Sequence, residues 1–230
     1  MGALKGSLTY SRFFVEEDPA GGGGKALPDD FRERFMKPIR HRAMRPLEPD
    51  DEELERSGWA KLGEPMTTDL GGDDVFWEGF VVLSFRTDKW QLPANVLKAR
   101  LKEAESAYLE KKGRTRLSRT EKTELKALVS KKLRRTTDPA TRAVDLVWAL
   151  DEGVVRFFSH SPKPGAVMSE LFHKTFGLKL VPESPYTTAA RIGLAETEQK
   201  AWAELEATYL GEAPLAREAS EVDDAAAEEE

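Results

Sequence analysis

The sequence predicts an α+β fold: a mixed or antiparallel sheet with packed helices, a protruding basic helical hairpin and a ββαβ unit. Three observations carry that reading. Apolar residues recur with period two in segments at both ends of the chain, with period 3.6 in two long segments between about residues 93 and 136, and the basic residues gather on those two segments. Between Arg86 and Arg135 there are 16 Lys/Arg against six Asp/Glu, a balance of +10 in a chain of net charge −6. Like charges held together repel, so the concentration marks a surface suited to a polyanion.

The first expected strand is Leu4 to Val15, with Leu8, Tyr10, Phe13 and Phe14, ending at the acidic, glycine-rich stretch from Glu16 to Gly24. Pro28 and Asp29-Asp30 signal a short helix with Phe31, Phe35 and Ile39 on one stripe, which Pro38 should end or kink. Gly58 to Gly63 reads as a short strand or turn around a buried Trp59, and Phe76 to Phe85, interrupted only by Gly79, as one well-buried strand. After Pro93, Leu97, Leu101, Ala104 and Tyr108 form the seam of a helix running to Lys112 and stopped by Gly113. A second helix starts at the Ser118/Glu121 capping box, carries Leu125, Leu128, Val129 and Leu133 inward, and stops before Asp138-Pro139. Each helix would be roughly 25 to 30 Å long.

From Ala143 the period returns to two. Val144, Leu146, Trp148 and Leu150 share a face, Asp151-Glu152-Gly153 reverses the chain, and Val154 to His160 returns. A helix follows with Met168, Leu171, Phe172 and Phe176 inward, closed by Gly177, and Leu178 to Val181 forms the last strand. Residues 1–195 are assigned to one α+β domain. Residues 196–230, with 12 acids against two bases, are assigned to an acidic, partly disordered tail that either solubilises the chain or competes for the hairpin.

Composition narrows the function. Cysteine is absent, which removes thiolate metal sites and fits a reducing compartment; no run of 18 apolar residues exists and the first residues lack an export signal, so a cytoplasmic protein without a membrane partner is expected. The candidate DNA-binding residues are Lys111, Lys112, Arg114, Arg116 and Arg119 around the hairpin turn, then Lys122, Lys126, Lys131, Lys132, Arg134 and Arg135 along the second helix. They are spread around the helix rather than along one stripe, an arrangement for phosphate contact without base readout. If six to eight of them touch phosphate, log K should fall against log salt with a slope near −5 to −7. Trp59, Trp77, Trp90 and Trp148 lie in or beside strands and are assigned to the core, so single-strand stacking is not expected.

No catalytic residues, cofactor, metal or small-molecule substrate are expected. His41, His160 and His173 lack partners at metal spacing, although Glu170 and His173 stand three apart on one helix. Glu124-Leu125-Lys126 fits the E-x-K fragment of Mg²⁺-dependent nucleases but lies in mid-helix. No phosphate loop, dinucleotide fingerprint or nucleophile elbow is present. A non-catalytic scaffold that offers the hairpin seams to a partner helix is the alternative, and a nuclease comes third.

The order of elements, with Lys5-Gly-Ser-Leu-Thr-Tyr-Ser-Arg-Phe13, Gly58-Trp59, Leu92-Pro93, Leu117-Ser-Arg-Thr-Glu-Lys-Thr-Glu-Leu-Lys126, Asp145-Leu-Val-Trp148 through Gly153 and Leu178-Lys-Leu-Val-Pro182, resembles the RdgC family of recombination-associated DNA-binding proteins. The likeness spans about Leu4 to Pro182. It implies double-stranded DNA as partner without sequence preference, a nucleoid-associated location, assembly as a homodimer around the duplex, and restraint of RecA-type strand exchange. The longer C-terminal region of that family is replaced here by the short acidic tail, and Thr136-Thr137-Asp138-Pro139 stands where members often carry an aromatic residue.

Overall fold

The computed structural model describes residues 2–4, 8–17 and 30–205. The glycine-rich stretch beyond Glu17, the Lys5 to Ser7 part of the first motif and the acidic run after Leu205 lie outside the described residues. The chain divides into two compact units, Met1–Thr187 and Thr188–Glu230.

In the first unit the strands are β1 (Ser11–Glu17), β2 (Glu55–Ala60), β3 (Phe76–Trp77), β4 (Phe80–Lys89), β5 (Ala140–Ala149), β6 (Val154–Phe157) and β7 (Leu178–Pro182). They pair in the order β2-β4-β5-β6-β1-β7, with β3 also on β4, and every pairing between them is antiparallel. The expected "mixed or antiparallel" sheet is thus antiparallel. The helices are α1 (Phe31–His41), α2 (Gly72–Val75), α3 (Ala94–Lys112), α4 (Arg119–Arg134) and α5 (Pro162–Phe176), with α6 (Pro185–Ile192) crossing into the second unit. The ββαβ unit is β5-β6-α5-β7, and β7 pairs with β1.

The core lies between one sheet face and helices α1 and α5. Trp148 sits at its centre, in edge-on contact with Phe31, Phe172 and Phe176 at centroid distances of 5.4, 5.2 and 5.3 Å. Rings in this arrangement place positive edges on negative faces, which adds to their area burial. Trp59 is fully buried beneath α5 and donates its indole N–H to Thr175 Oγ1 at 2.9 Å. Gly58 beside it leaves room for a close backbone crossing, because a Cβ there would stand 2.6 Å from Met44 Cα. The second sheet face is also covered: Val82, Ser84, Arg86 and Asp88 on β4 are all buried.

Three sequence expectations change, and a fourth, that Pro38 ends or kinks α1, is narrowed. The first strand begins at Ser11 rather than Leu4, because Ser11 already faces Phe157, the last residue of β6. Leu4 and Leu8 are exposed, and Ala3 N–H instead donates to Asp145 Oδ2 at 2.8 Å. Pro38 does not end α1, which continues to His41. Full burial of Ile39 and the 2.7 Å bond from Arg40 Nε to the Leu70 carbonyl hold the last turn against a proline cost of about 3 kcal/mol.

Phe76 to Phe85 is a hairpin rather than one strand. Glu78 and Gly79 both take positive φ, 28° and 88°, and reverse the chain in two residues. The second arm continues to Lys89, since Arg86 and Asp88 neutralise each other inside the protein. On the short first arm Phe76 points inward and Trp77 outward, so Trp77 is 43% exposed and its N–H donates to the Asp73 carbonyl. It is not a core residue.

The second unit contains α7 (Glu196–Ala203), whose Glu198 carboxylate accepts from the Ala195 N–H at 2.8 Å. The first residues assigned to the acidic tail therefore form a helix.

Candidate nucleic-acid interface

α3 and α4 pack against each other as an antiparallel hairpin inserted between β4 and β5. The termini follow the sequence closely. Gly113 takes a left-handed φ of 60° and its N–H returns to the Glu110 carbonyl, which ends α3. Ser118 Oγ accepts from Glu121 N–H at 3.2 Å while the Glu121 carboxylate accepts from Ser118 N–H at 2.8 Å, which starts α4. The seam of Leu97, Leu101, Ala104 and Tyr108 against Leu125, Val129 and Leu133 is half-buried, and only Val129 is buried outright. Leu128, assigned to the seam from its spacing, is 64% exposed.

Glu121 ties the tip together. Besides capping α4 it accepts from Tyr108 Oη at 3.2 Å and pairs with Arg114 at 3.4 Å. The Ser118 backbone N–H, first, and then the Ser118 hydroxyl, Tyr108 and Arg114 hold its carboxyl below the ordinary value of 4.5. A group whose folded value is depressed contributes stability that is present above 4.5 and disappears as pH falls through the lower folded value. In an NMR titration the Ser118 amide resonance is expected to move with a midpoint below 4.5, and Glu121→Gln should abolish the step. A midpoint at or above 4.5 would contradict this capping account.

Apart from Arg114, which pairs with Glu121, the eleven candidate cations separate into two groups. At the root of the hairpin, Lys131 and Arg135 both pair with Asp50, at 2.8 and 3.1 Å. Lys131 and then Arg135 pull the Asp50 carboxyl below its ordinary range. Arg134 is half-buried, with Nη1 donating to the Asp51 carbonyl at 3.0 Å and the guanidinium 5.9 Å from the Trp90 ring centroid. All three are engaged by the loop before β2.

Towards the turn the pattern reverses. Among the described residues Lys111, Lys112, Arg116, Arg119, Lys122 and Lys126 are exposed and have no carboxylate partner, as does Lys132 nearer the root. Lys112 lies 6.0 Å from the Tyr108 ring centroid. Lys98 and Lys102 on α3, outside the candidate set, are likewise exposed and unpaired among the described residues. Their signal was present in the sequence as part of the basic segment, but the tip and α4 carried the denser run.

The remaining chemistry is sparse. Glu170 pairs with Lys174, and His173 Nδ1 lies 3.4 Å from the Leu178 carbonyl. Glu124-Leu125-Lys126 is in the middle of α4, as read. Among the described residues no group of three or more His, Asp or Glu side chains is placed to hold a metal ion, and no helix is long and apolar enough to cross a membrane. Comparison with known proteins finds no matching family model and no matching curated protein.

Proposed function

We propose that this chain binds double-stranded DNA without sequence preference, through the phosphate backbone and the tip of the α3/α4 hairpin, and that it does so without catalysing a reaction. The observation that supports this most is the contrast between the two ends of α4. At the root the single Asp50 carboxylate engages Lys131 and Arg135, and Arg134 is tied to the Asp51 carbonyl, whereas six cations from the turn to the middle of α4 have no carboxylate partner among the described residues. A surface kept unneutralised in a chain of net charge −6 is matched to a polyanion. The resemblance to RdgC extends the reading to a homodimer that restrains RecA-type strand exchange on nucleoid DNA.

Two random-sequence duplexes of equal length should bind with equal affinity. If these six cations each meet a phosphate, log K is expected to fall against log salt with a slope of about −5 in a fluorescence anisotropy titration. A slope near zero, or a strong preference for one duplex, would overturn the proposal. Sedimentation of the free chain and a strand-exchange assay test the dimer and the recombination role separately.

A further inference from the structure

A groove of about 360 Å³ opens where the sheet passes beyond α5, at the edge from which the hairpin emerges. The strand register explains it. On the core face, the row Trp59-Phe85-Val144 is apolar and covered, the next row is Ser57-Thr87-Arg142, and the row after that is Glu55-Lys89-Ala140. The first two turns of α5 bring Lys163 and Val167 over these two polar rows. The groove therefore has an apolar floor of Phe85 and Val144 and a rim bearing Lys89, Arg142 and Lys163.

Its charge is unbalanced in one direction. Glu55 is the sole carboxylate among the lining residues and is bonded to Lys89 at 2.7 Å, so the three cations and this acid leave an excess of two positive charges. Arg142 and Lys163 have no carboxylate partner within ion-pair distance among the described residues. Lys89 first, and Lys163 through space, hold the Glu55 carboxyl below its ordinary 4.5, and Lys163 lines the same groove. The amino end of α5 adds little, because Pro162 and Pro164 lack N–H groups and Gly165 N–H is bonded to the Ser161 carbonyl. Recognition here falls to side chains.

We propose that this groove is a binding site for an organic phosphate monoester, with the phosphate held by Arg142, Lys163 and Lys89 and the organic body against Phe85, Val144 and Val167. A phosphate monoester carries about −1.5 to −2 charges at neutral pH, which matches the local excess. An apolar floor with a few convergent polar groups, at a volume in the small-molecule range, is the usual build of such a site. Two sources present this chemistry: a free nucleotide and the 5′-phosphate of a DNA end. The site stands on geometry separate from the hairpin tip and goes beyond the phosphate-backbone binding proposed above.

Isothermal titration of the full chain with adenosine 5′-monophosphate, and anisotropy with duplexes carrying 5′-phosphate or 5′-hydroxyl ends, tests it. The expected result is saturable one-site binding of the nucleotide, or at least about tenfold tighter binding of the 5′-phosphorylated duplex. The first identifies a free nucleotide as ligand and the second a DNA terminus. Arg142→Gln with Lys163→Gln, both exposed and so compatible with folding, should remove that signal, while Ala replacements at Arg116, Arg119, Lys122 and Lys126 should leave the nucleotide titration unchanged. Absence of both signals, or the same affinity in the Arg142/Lys163 variant with its circular dichroism intact, overturns the site. General duplex affinity survives either outcome, so failure here is distinguishable from failure of the hairpin reading.

Discussion

Replacing Asp88 with Ala is expected to cost about 3–5 kcal/mol of folding stability and to lower the melting temperature by roughly 10 °C. Asp88 is fully buried on the second face of β4 and accepts from Arg86 Nε at 2.8 Å, Arg86 Nη2 at 2.6 Å and Thr141 Oγ1 at 2.8 Å. Arg86 is itself only 5% exposed, and its remaining bond is to the Pro65 carbonyl at 3.2 Å. Removing the carboxylate strands a guanidinium away from water with one neutral acceptor, and an uncompensated buried charge is the dominant cost. Removing both charges behaves differently. Arg86→Met combined with Asp88→Leu should recover most of the loss, since a buried pair gives back in attraction little more than its desolvation consumed. Chemical denaturation of the two variants decides the matter: a single replacement that costs less than the double one would refute the account.

That pair also shows where reading the sequence stops. Arg86 and Asp88 are two apart on a strand, and by alternation they belong to one face; charged residues on one face of a strand ordinarily mean solvent. Here the segment through Pro65 covers that face, and coverage by a distant segment leaves no local mark. The hairpin was legible for the opposite reason. Gly113 and the Ser118/Glu121 box act within one or two turns, and both stand where the sequence placed them. The aromatic core was legible as well, because Phe31, Phe35, Trp148, Phe172 and Phe176 each lie on the apolar side of a periodic segment. Trp77 and Leu128 were misplaced because composition and spacing cannot say which strand is short or where a partner helix ends. For the candidate site, the basic segment itself was visible, but its division was not. Asp50 and Arg135 are 85 residues apart, and only the fold reveals that one acid occupies two of the expected phosphate contacts.

The division predicts the largest functional effect. Ala at Arg116, Arg119, Lys122 and Lys126 together is expected to weaken duplex binding by at least about a hundredfold at low salt and to bring the salt slope three to four units closer to zero, as each lost phosphate contact removes about one. Ala at Lys131 and Arg135 should move the slope by less than one unit, despite the equal or greater density of charge there, because both are already held by Asp50. The acid provides the reciprocal test. Asp50→Asn withdraws the carboxylate from two exposed cations without touching either, and should make the slope steeper by one to two units if they then reach the duplex. Exposed ion pairs contribute little to folding, so the variant should keep its melting temperature and the change in slope can be read as binding alone. If the Lys131/Arg135 variant loses as much affinity as the tip variant, the cations act as an undivided array, and the assignment of the contact surface to the turn is wrong.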